Sequence, residues 1–286
     1  MLFKKENNKK LCVYVFKKPP SMYIKLVVAV FFFITCHTLS AQDCILKNAH
    51  AHNDYKHKHP LTDALKNKFT SIEADIFLIN NKLIVSHTYP IFKKKKTLDL
   101  LYLKPLLDSC KKNNGKVYIN CDKSMILLID IKSDAEKTYE KLKEFLIPYS
   151  SILSKYENGN VITNAVTIII TGNKPYTSLQ KENLRYAFID QSLLGLDKPY
   201  ERTTCLMAST KYSNILTWKG KGEIPKKEKE NLTTLVNQAH LQGKKVRLWA
   251  SPENKKVWTE LLNCGVDLIN TDKLEMLRDF LKEQKK

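Results

Sequence analysis

Glycine is scarce in this chain, with eight in 286 residues. No Gly-rich loop follows the first predicted strand, which argues against the open nucleotide-binding sheets that seat a pyrophosphate on such a loop. None of the seven cysteines forms a C-x-x-C pair, so a structural zinc site built on that spacing is excluded. The one long apolar run, Leu26–Cys36, has eleven residues, short of the roughly 20 needed to span a bilayer. There is no internal repeat and no linker long enough to separate domains. Acidic residues are also few: 29 against 48 Lys and Arg, a formal net charge of +19. The excess favours an anionic partner such as a phospholipid headgroup. The lysines are scattered, however, and Lys93–Lys96 is the only dense run, with no basic stripe interleaved with aromatics. Nucleic acid is therefore not an expected partner.

The first 42 residues have the composition of a targeting segment. Lys4, Lys5, Lys9, Lys10, Lys17, Lys18 and Lys25 precede the apolar run, and small or polar residues follow up to Ser40-Ala41. This is the order of a signal peptide cleaved near Ala41 or Gln42, with Met1 or Met22 as the start and an uncleaved N-terminal anchor as the alternative. The expected organisation is residues 1–42 for export or anchoring and 43–286 for one domain. Beyond that segment lie Cys44, Cys110, Cys121, Cys205 and Cys264. An exported location permits disulfides, but spacing assigns neither a pairing nor an oligomeric state.

From residue 44 onward, short apolar runs alternate with helical patterns. The predicted strands are Cys44–Ala49, Ser71–Ile79, Met125–Ile131, Ala165–Thr171, Ala187–Asp190, Cys205–Ala208, Lys245–Ala250 and Val266–Asn270, with Leu83–His87 returning as a hairpin after Asn80-Asn81. Helices are expected at Leu61–Lys68, Leu98–Asn113, Asp134–Ser150, Thr177–Tyr186, Lys226–Gln242, Glu253–Asn263 and Lys273–Lys282. Several strands are apolar throughout, as parallel strands covered on both faces are. The fold class is therefore α/β, and the simplest architecture is a single (β/α)₈ TIM-type barrel, for which roughly 250 residues suffice.

In such a barrel the chemistry lies at the C-terminal ends of the strands. Glu73 and Asp75 alternate with Ile72, Ala74 and Ile76, so both carboxylates face one space. Asp130, after four apolar residues, repeats this on the next strand with Lys132 beside it. Carboxylates converging in an apolar setting repel unless a cation lies between them. Three of them form a hard-cation site, for one Mg²⁺ or Ca²⁺. Of seven histidines, His50, His52 and His87 fall at strand ends beside these acids. Arg247 and Trp249 are carried on the seventh strand, and Trp249 is expected to line the pocket.

The stretches His52-Asn53-Asp54-Tyr55, Glu73-Ala74-Asp75, Leu83–His87, Asp130-Ile131-Lys132 and Gly265–Asp272 occur in an order and spacing that resembles the phospholipase C-like phosphodiesterase superfamily. That group includes glycerophosphodiester phosphodiesterases and phosphatidylinositol-specific phospholipases C. The likeness is greatest to proteins related to the altered-inheritance-of-mitochondria phosphodiesterases and runs from about residue 48 to 280. It implies a TIM-type barrel, a divalent metal at Glu73, Asp75 and Asp130, and His52 and His87 as the acid–base pair; His52 is assigned as base and His87 as acid, with the exchanged order left open. It also implies a phosphodiester or phospholipid-headgroup substrate, with transient contact to a membrane surface. Lys132, beside the cation, is placed to meet a phosphate oxygen, Asn53 and His50 are further candidates for substrate contact, and Trp249 either lines the pocket or packs in the core. Where the glycerophosphodiesterase pattern has H-R-G, this sequence has His52-Asn53-Asp54, so no phosphate-binding arginine is carried over to position 53. Two other readings remain. His50-x-His52 resembles the first metal motif of amidohydrolases and related phosphatases, although no histidine follows between His87 and His240. A non-catalytic surface binding protein on the same barrel is the other.

Overall fold

The computed structural model describes residues 45–91, 96–119, 121–197 and 200–284. Residues 1–42, for which a targeting role is expected, and Cys44 lie outside them. Eight strands pair in parallel: β1 (Leu46–Ala51), β2 (Phe69–Ile79), β3 (Met125–Ile131), β4 (Val166–Gly172), β5 (Ala187–Ser192), β6 (Cys205–Lys211), β7 (Lys245–Trp249) and β8 (Leu268–Thr271). The register Ala49↔Ile269 joins β1 to β8 and His50↔Ser71 joins β1 to β2, which closes the ring. The fold is thus the expected TIM-type barrel. The strand Lys82–Val85 pairs antiparallel with the distal part of β2, as the Asn80-Asn81 turn predicts.

Two-residue alternation divides each strand between two environments. On β3, Leu127, Ile129 and Ile131 point outward under the helices, while Ile126 and Leu128 point into the barrel. Ile126, Leu128, Ile169, Met207 and Leu268 form the apolar lower interior. Each fully buried side chain of this size contributes about 1.5–3 kcal/mol. One step further along each strand the inward residue turns polar: Asp130 on β3, Thr171 on β4, Asn270 on β8. The site therefore rests on a solid floor.

The helices are α1 (Thr62–Lys66), α2 (Lys104–Lys112), α3 (Ala135–Leu146), α4 (Tyr176–Gln180), α5 (Lys226–Leu241), α6 (Lys255–Asn263) and α7 (Leu274–Glu283). In α3, Asp134 caps the Lys137 N–H at 2.9 Å, and Tyr139, Leu142 and Leu146 bury one stripe. The glycines after α5 and α6, Gly243 and Gly265, adopt φ of 73° and 87°, which stops both helices as their sequence positions predict.

Three expectations change. The helix expected over 98–113 is split. Asp99–Leu103 forms a widened turn and α2 follows with Pro105 in its first turn, where proline offers no N–H to the preceding ladder. The helix expected over 177–186 ends at Gln180. Leu184–Arg185 instead joins Lys155–Glu157 and Asn160–Ile162 in a small antiparallel sheet, and the Arg185 guanidinium lies 3.7 Å from the Tyr156 ring centre. The hairpin 155–162 turns at Asn158-Gly159, both at positive φ, a signal visible in the sequence. Finally, β6 runs three residues beyond its predicted end, to Lys211. Among the described residues Cys110, Cys121, Cys205 and Cys264 are free thiols, and no helix is long and apolar enough to cross a membrane.

Candidate active site

The register Asp75↔Asp130 sets the carboxylates of β2 and β3 side by side. Asp75 is fully buried, and its Oδ2 accepts from the Tyr55 hydroxyl at 2.8 Å, from His87 Nδ1 at 2.8 Å and from the Lys132 ammonium at 3.3 Å. Asp130 Oδ2 accepts from Lys132 at 2.6 Å. The second oxygens, Asp75 Oδ1 and Asp130 Oδ1, are buried and have no hydrogen-bond partner. Burial pushes the Asp130 carboxyl above its usual range, aided by the charges of Asp75 and Glu73 and opposed by Lys132.

Glu73 differs. It also loses solvation, but Arg247 donates to its Oε2 at 2.6 Å and His50 Nε2 lies 3.2 Å from the same oxygen, and together they hold the carboxyl well below its usual range. His50 is fully enclosed, with Nδ1 2.7 Å from the Ser71 hydroxyl. Burial, with Arg247 nearby, lowers its pKa to about 4, so it is neutral near pH 7. The structure places His50 beneath the site rather than on its wall. Both ring nitrogens are engaged, which leaves none for the metal ligation of an amidohydrolase-like His50-x-His52 pair.

His52 lies just past the end of β1. Its Nδ1 is 2.8 Å from Asp272 Oδ1, and its Nε2 is 4.0 Å from Glu73 Oε1. Burial works against the charged form, but the bond to Asp272 and the charges of Glu73 and Asp272 outweigh it, and this imidazole titrates above its ordinary value. The Asn53 amide nitrogen is 3.0 Å from both ring nitrogens, a position over the ring face. Asn53 adopts φ 47°, which asparagine tolerates better than most residues. Asp54, fully buried, accepts from Leu61 N–H at 2.6 Å and from the Tyr102 hydroxyl at 2.9 Å. The Asn-Asp-Tyr stretch is therefore a built turn: Asn53 bends it, Asp54 ties it down and Tyr55 reaches the acids.

Glu73, Asp75 and Asp130 each offer an oxygen within 4.8 Å of the others. Gly172 completes the cradle: at φ 71° it has no side chain, and a Cβ there would stand 2.0 Å from Asp130 Oδ1. Oxygen donors only, two of them otherwise unpartnered, fit a hard divalent cation.

Residues 38–190 match the AIM6-like phosphodiesterase domain, and residues 245–275 match the glycerophosphoryl diester phosphodiesterase family. The chain belongs to the AIM6-like phosphodiesterase family. It is thereby a phosphoric diester hydrolase. The altered inheritance of mitochondria protein 6 of Kluyveromyces lactis is 30% identical over 82% of this chain and 72% of that protein. Its namesake in Saccharomyces cerevisiae S288c is 30% identical over 81% and 70%. The crystal structure of a glycerophosphodiester phosphodiesterase from Parabacteroides distasonis covers 84% of this chain and 98% of its own, with a TM-score of 0.52 at 14% identity, a likeness of fold.

The mouth of this phosphodiesterase barrel is a cavity of about 420 Å³. His52, Asn53, His87, Lys132 and Trp249 line it together with the three acids, so every proposed site residue except His50 reaches it. The pairing of Arg247 with Glu73 and that of Asp272 with His52 went unread in the sequence. Their separations of 174 and 220 residues leave no local signal, although both belong to strand ends the barrel predicts. The same holds for Asp190, fully buried on β5, which accepts from Ser209 and from Thr171.

Proposed function

We propose that this phosphodiesterase depends on one divalent cation, Mg²⁺ or Ca²⁺, and acts on a phospholipid-derived or glycerophosphodiester-like substrate through His52 and His87. The observation that carries this reading is the pair of buried, unpartnered oxygens, Asp75 Oδ1 and Asp130 Oδ1, beside Glu73. Glu73, Asp75 and Asp130 would hold the cation, whose charge stabilises the non-bridging oxygens of the scissile phosphate. Arg247 keeps Glu73 ionised for that task. With Asp272 accepting from His52 Nδ1–H, the free Nε2 removes a proton from the attacking group, either water or a neighbouring substrate hydroxyl. His87, held through Nδ1 by Asp75, protonates the leaving oxygen. Lys132 turns its ammonium from the acids toward a phosphate oxygen as a point charge. Asn53 and Trp249 contact the substrate. We further propose that residues 43–286 are the catalytic domain and that 1–42 direct export or anchor the protein, bringing it into transient contact with a membrane surface.

The test is hydrolysis of bis(p-nitrophenyl) phosphate and lysophospholipids by wild type and His52→Ala, before and after chelation. Activity restored by Mg²⁺ or Ca²⁺, and lost in the variant, is expected. Equal rates for the two proteins remove His52 from the mechanism, and tightly bound zinc in the active protein replaces the cation reading.

A further inference from the structure

Two of the four fixed cations at the barrel mouth are matched to the acids. Arg247 lies 2.6 Å from Glu73, and Lys132 lies 2.6 Å from Asp130 and 3.3 Å from Asp75. The other two are not matched. Lys174, just after β4, and Lys211, the last residue of β6, line the same cavity and make no ion pair among the described residues. The Lys211 ammonium sits 5.8 Å from the Trp249 ring centre, a contact with the ring face that leaves its charge uncompensated. The carboxylate that feels Lys174 is Asp190, which burial holds toward its neutral form and whose Oδ2 accepts from Thr171 and Ser209.

The position of these lysines matters. In a closed ring of eight strands, β6 stands opposite β2. The mouth is therefore divided into an acid and imidazole half on β1 to β3 and a cationic half on β4 to β6. The cavity, about 420 Å³, is of the size that takes a whole small ligand rather than a single phosphate group.

We propose that Lys174 and Lys211 form a subsite for a second phosphate, so that the preferred substrate is a phosphodiester that also carries a phosphomonoester. This rests on the phosphodiesterase reading of the opposite half. A phosphomonoester carries about −1.5 to −2 at pH 7, which two lysine charges match, and lysine binds phosphate as a point charge. Ser192 and Asn214 line the same wall and offer neutral donors. A lipid headgroup and a soluble ester present the same chemistry.

The experiment compares glycerophosphoinositol with its 4-phosphate, and lysophosphatidylinositol with its 4-phosphate in micelles, using wild type and Lys174→Gln/Lys211→Gln. In wild type kcat/KM should be at least about tenfold higher for the phosphorylated member, equivalent to about 1.4 kcal/mol, and the ratio should fall to about one in the variant. A preference only among micellar esters assigns the subsite to a lipid headgroup, and one only among soluble esters to a free metabolite. A wild-type ratio near one, or an equal fall on both members in the variant, overturns the proposal. Calorimetric titration with inositol 1,4-bisphosphate reads the subsite without turnover: at least about tenfold weaker binding to the variant is expected, and equal binding overturns it. Binding that differs while neither ester is hydrolysed removes the headgroup-diester reading of the substrate and keeps the subsite. Hydrolysis of both without preference does the reverse. The single Lys211→Gln variant, at an exposed position, provides the same comparison should the double variant fail to fold.

Discussion

The arginine network of β1, β2 and β7 and the acid cluster of β2 and β3 lie on neighbouring strands of one barrel, yet only the first is balanced in charge, although the Arg247 Nε is itself without a hydrogen-bond partner. In the network, Arg247 offsets Glu73, Asn270 accepts from the same guanidinium at 3.0 Å, and His50 stays neutral. In the cluster, Asp75 and Asp130 share the single cation Lys132, and one oxygen of each has no partner. A buried charge without a partner is costly, and a folded protein retains one where a ligand is to supply what is missing. The comparison separates the part of the barrel that holds its own shape from the part built to receive something.

The largest expected effect tests the incomplete half. Asp130→Asn should lower kcat by on the order of 10³-fold, as loss of a group that serves transition-state charge does, and should leave the thermal midpoint near that of wild type. In wild type, a cation at 100 times its Kd should add about 2.7 kcal/mol of stability, and the variant should lose that gain. A variant that unfolds several degrees early in the absence of cation would show that the cluster is structural after all.

Next comes the balanced half. Arg247→Met leaves Glu73 as an uncompensated buried charge and should destabilise the protein by about 3–5 kcal/mol in urea unfolding. Adding Glu73→Gln should recover part of that loss, since the pair acts as a unit. A cost of Arg247→Met below about 1 kcal/mol would mean that water already reaches Glu73.

The smallest effect falls at the junction of the two. Asp272 raises the His52 pKa, so below that value His52 is protonated and cannot act as base. The acid limb of kcat/KM should therefore lie above the ordinary imidazole value of about 6.5. Asp272→Asn removes the largest raising cause and leaves burial opposed by the charge of Glu73 alone, so the limb should move to lower pH, with a roughly 10- to 100-fold loss of activity near neutrality. A limb that stays in place would transfer the base role away from His52.

The sequence carried the frame of both networks but not the pairings within them. The apolar runs give the eight strands, and two-residue alternation puts Glu73, Asp75 and Asp130 on one side, with Ile72, Ala74 and Ile76 all 0% exposed on the other. The end of the strand separates the histidines: His50 is the last but one residue of β1 and points into the floor, while His52 stands past the strand in the turn that Asn53 bends. What remained hidden depends on closure. Arg247 meets Glu73, and Asp272 meets His52, only because β7 and β8 come round to β1 and β2. Lys174 belongs to a loop whose direction no periodicity sets, and Lys211 lies beyond the end expected for β6, where alternation with Met207 and Ser209 turns it inward. The split of the helix at Pro105 was legible in principle, as was the Asn158-Gly159 hairpin.

Gly172 has a consequence for the ancestry and redesign of such barrels. The space that Asp130 Oδ1 occupies is the space a side chain at 172 would claim. One added carbon would close the cradle, crowd the Ile131 carbonyl of β3 and strain a backbone held at positive φ, while the lysines and Trp249 lie elsewhere on the mouth. In this architecture a catalyst and a barrel without turnover lie a single codon apart. Gly172 is the position at which to look first when a relative keeps the barrel and has lost its chemistry.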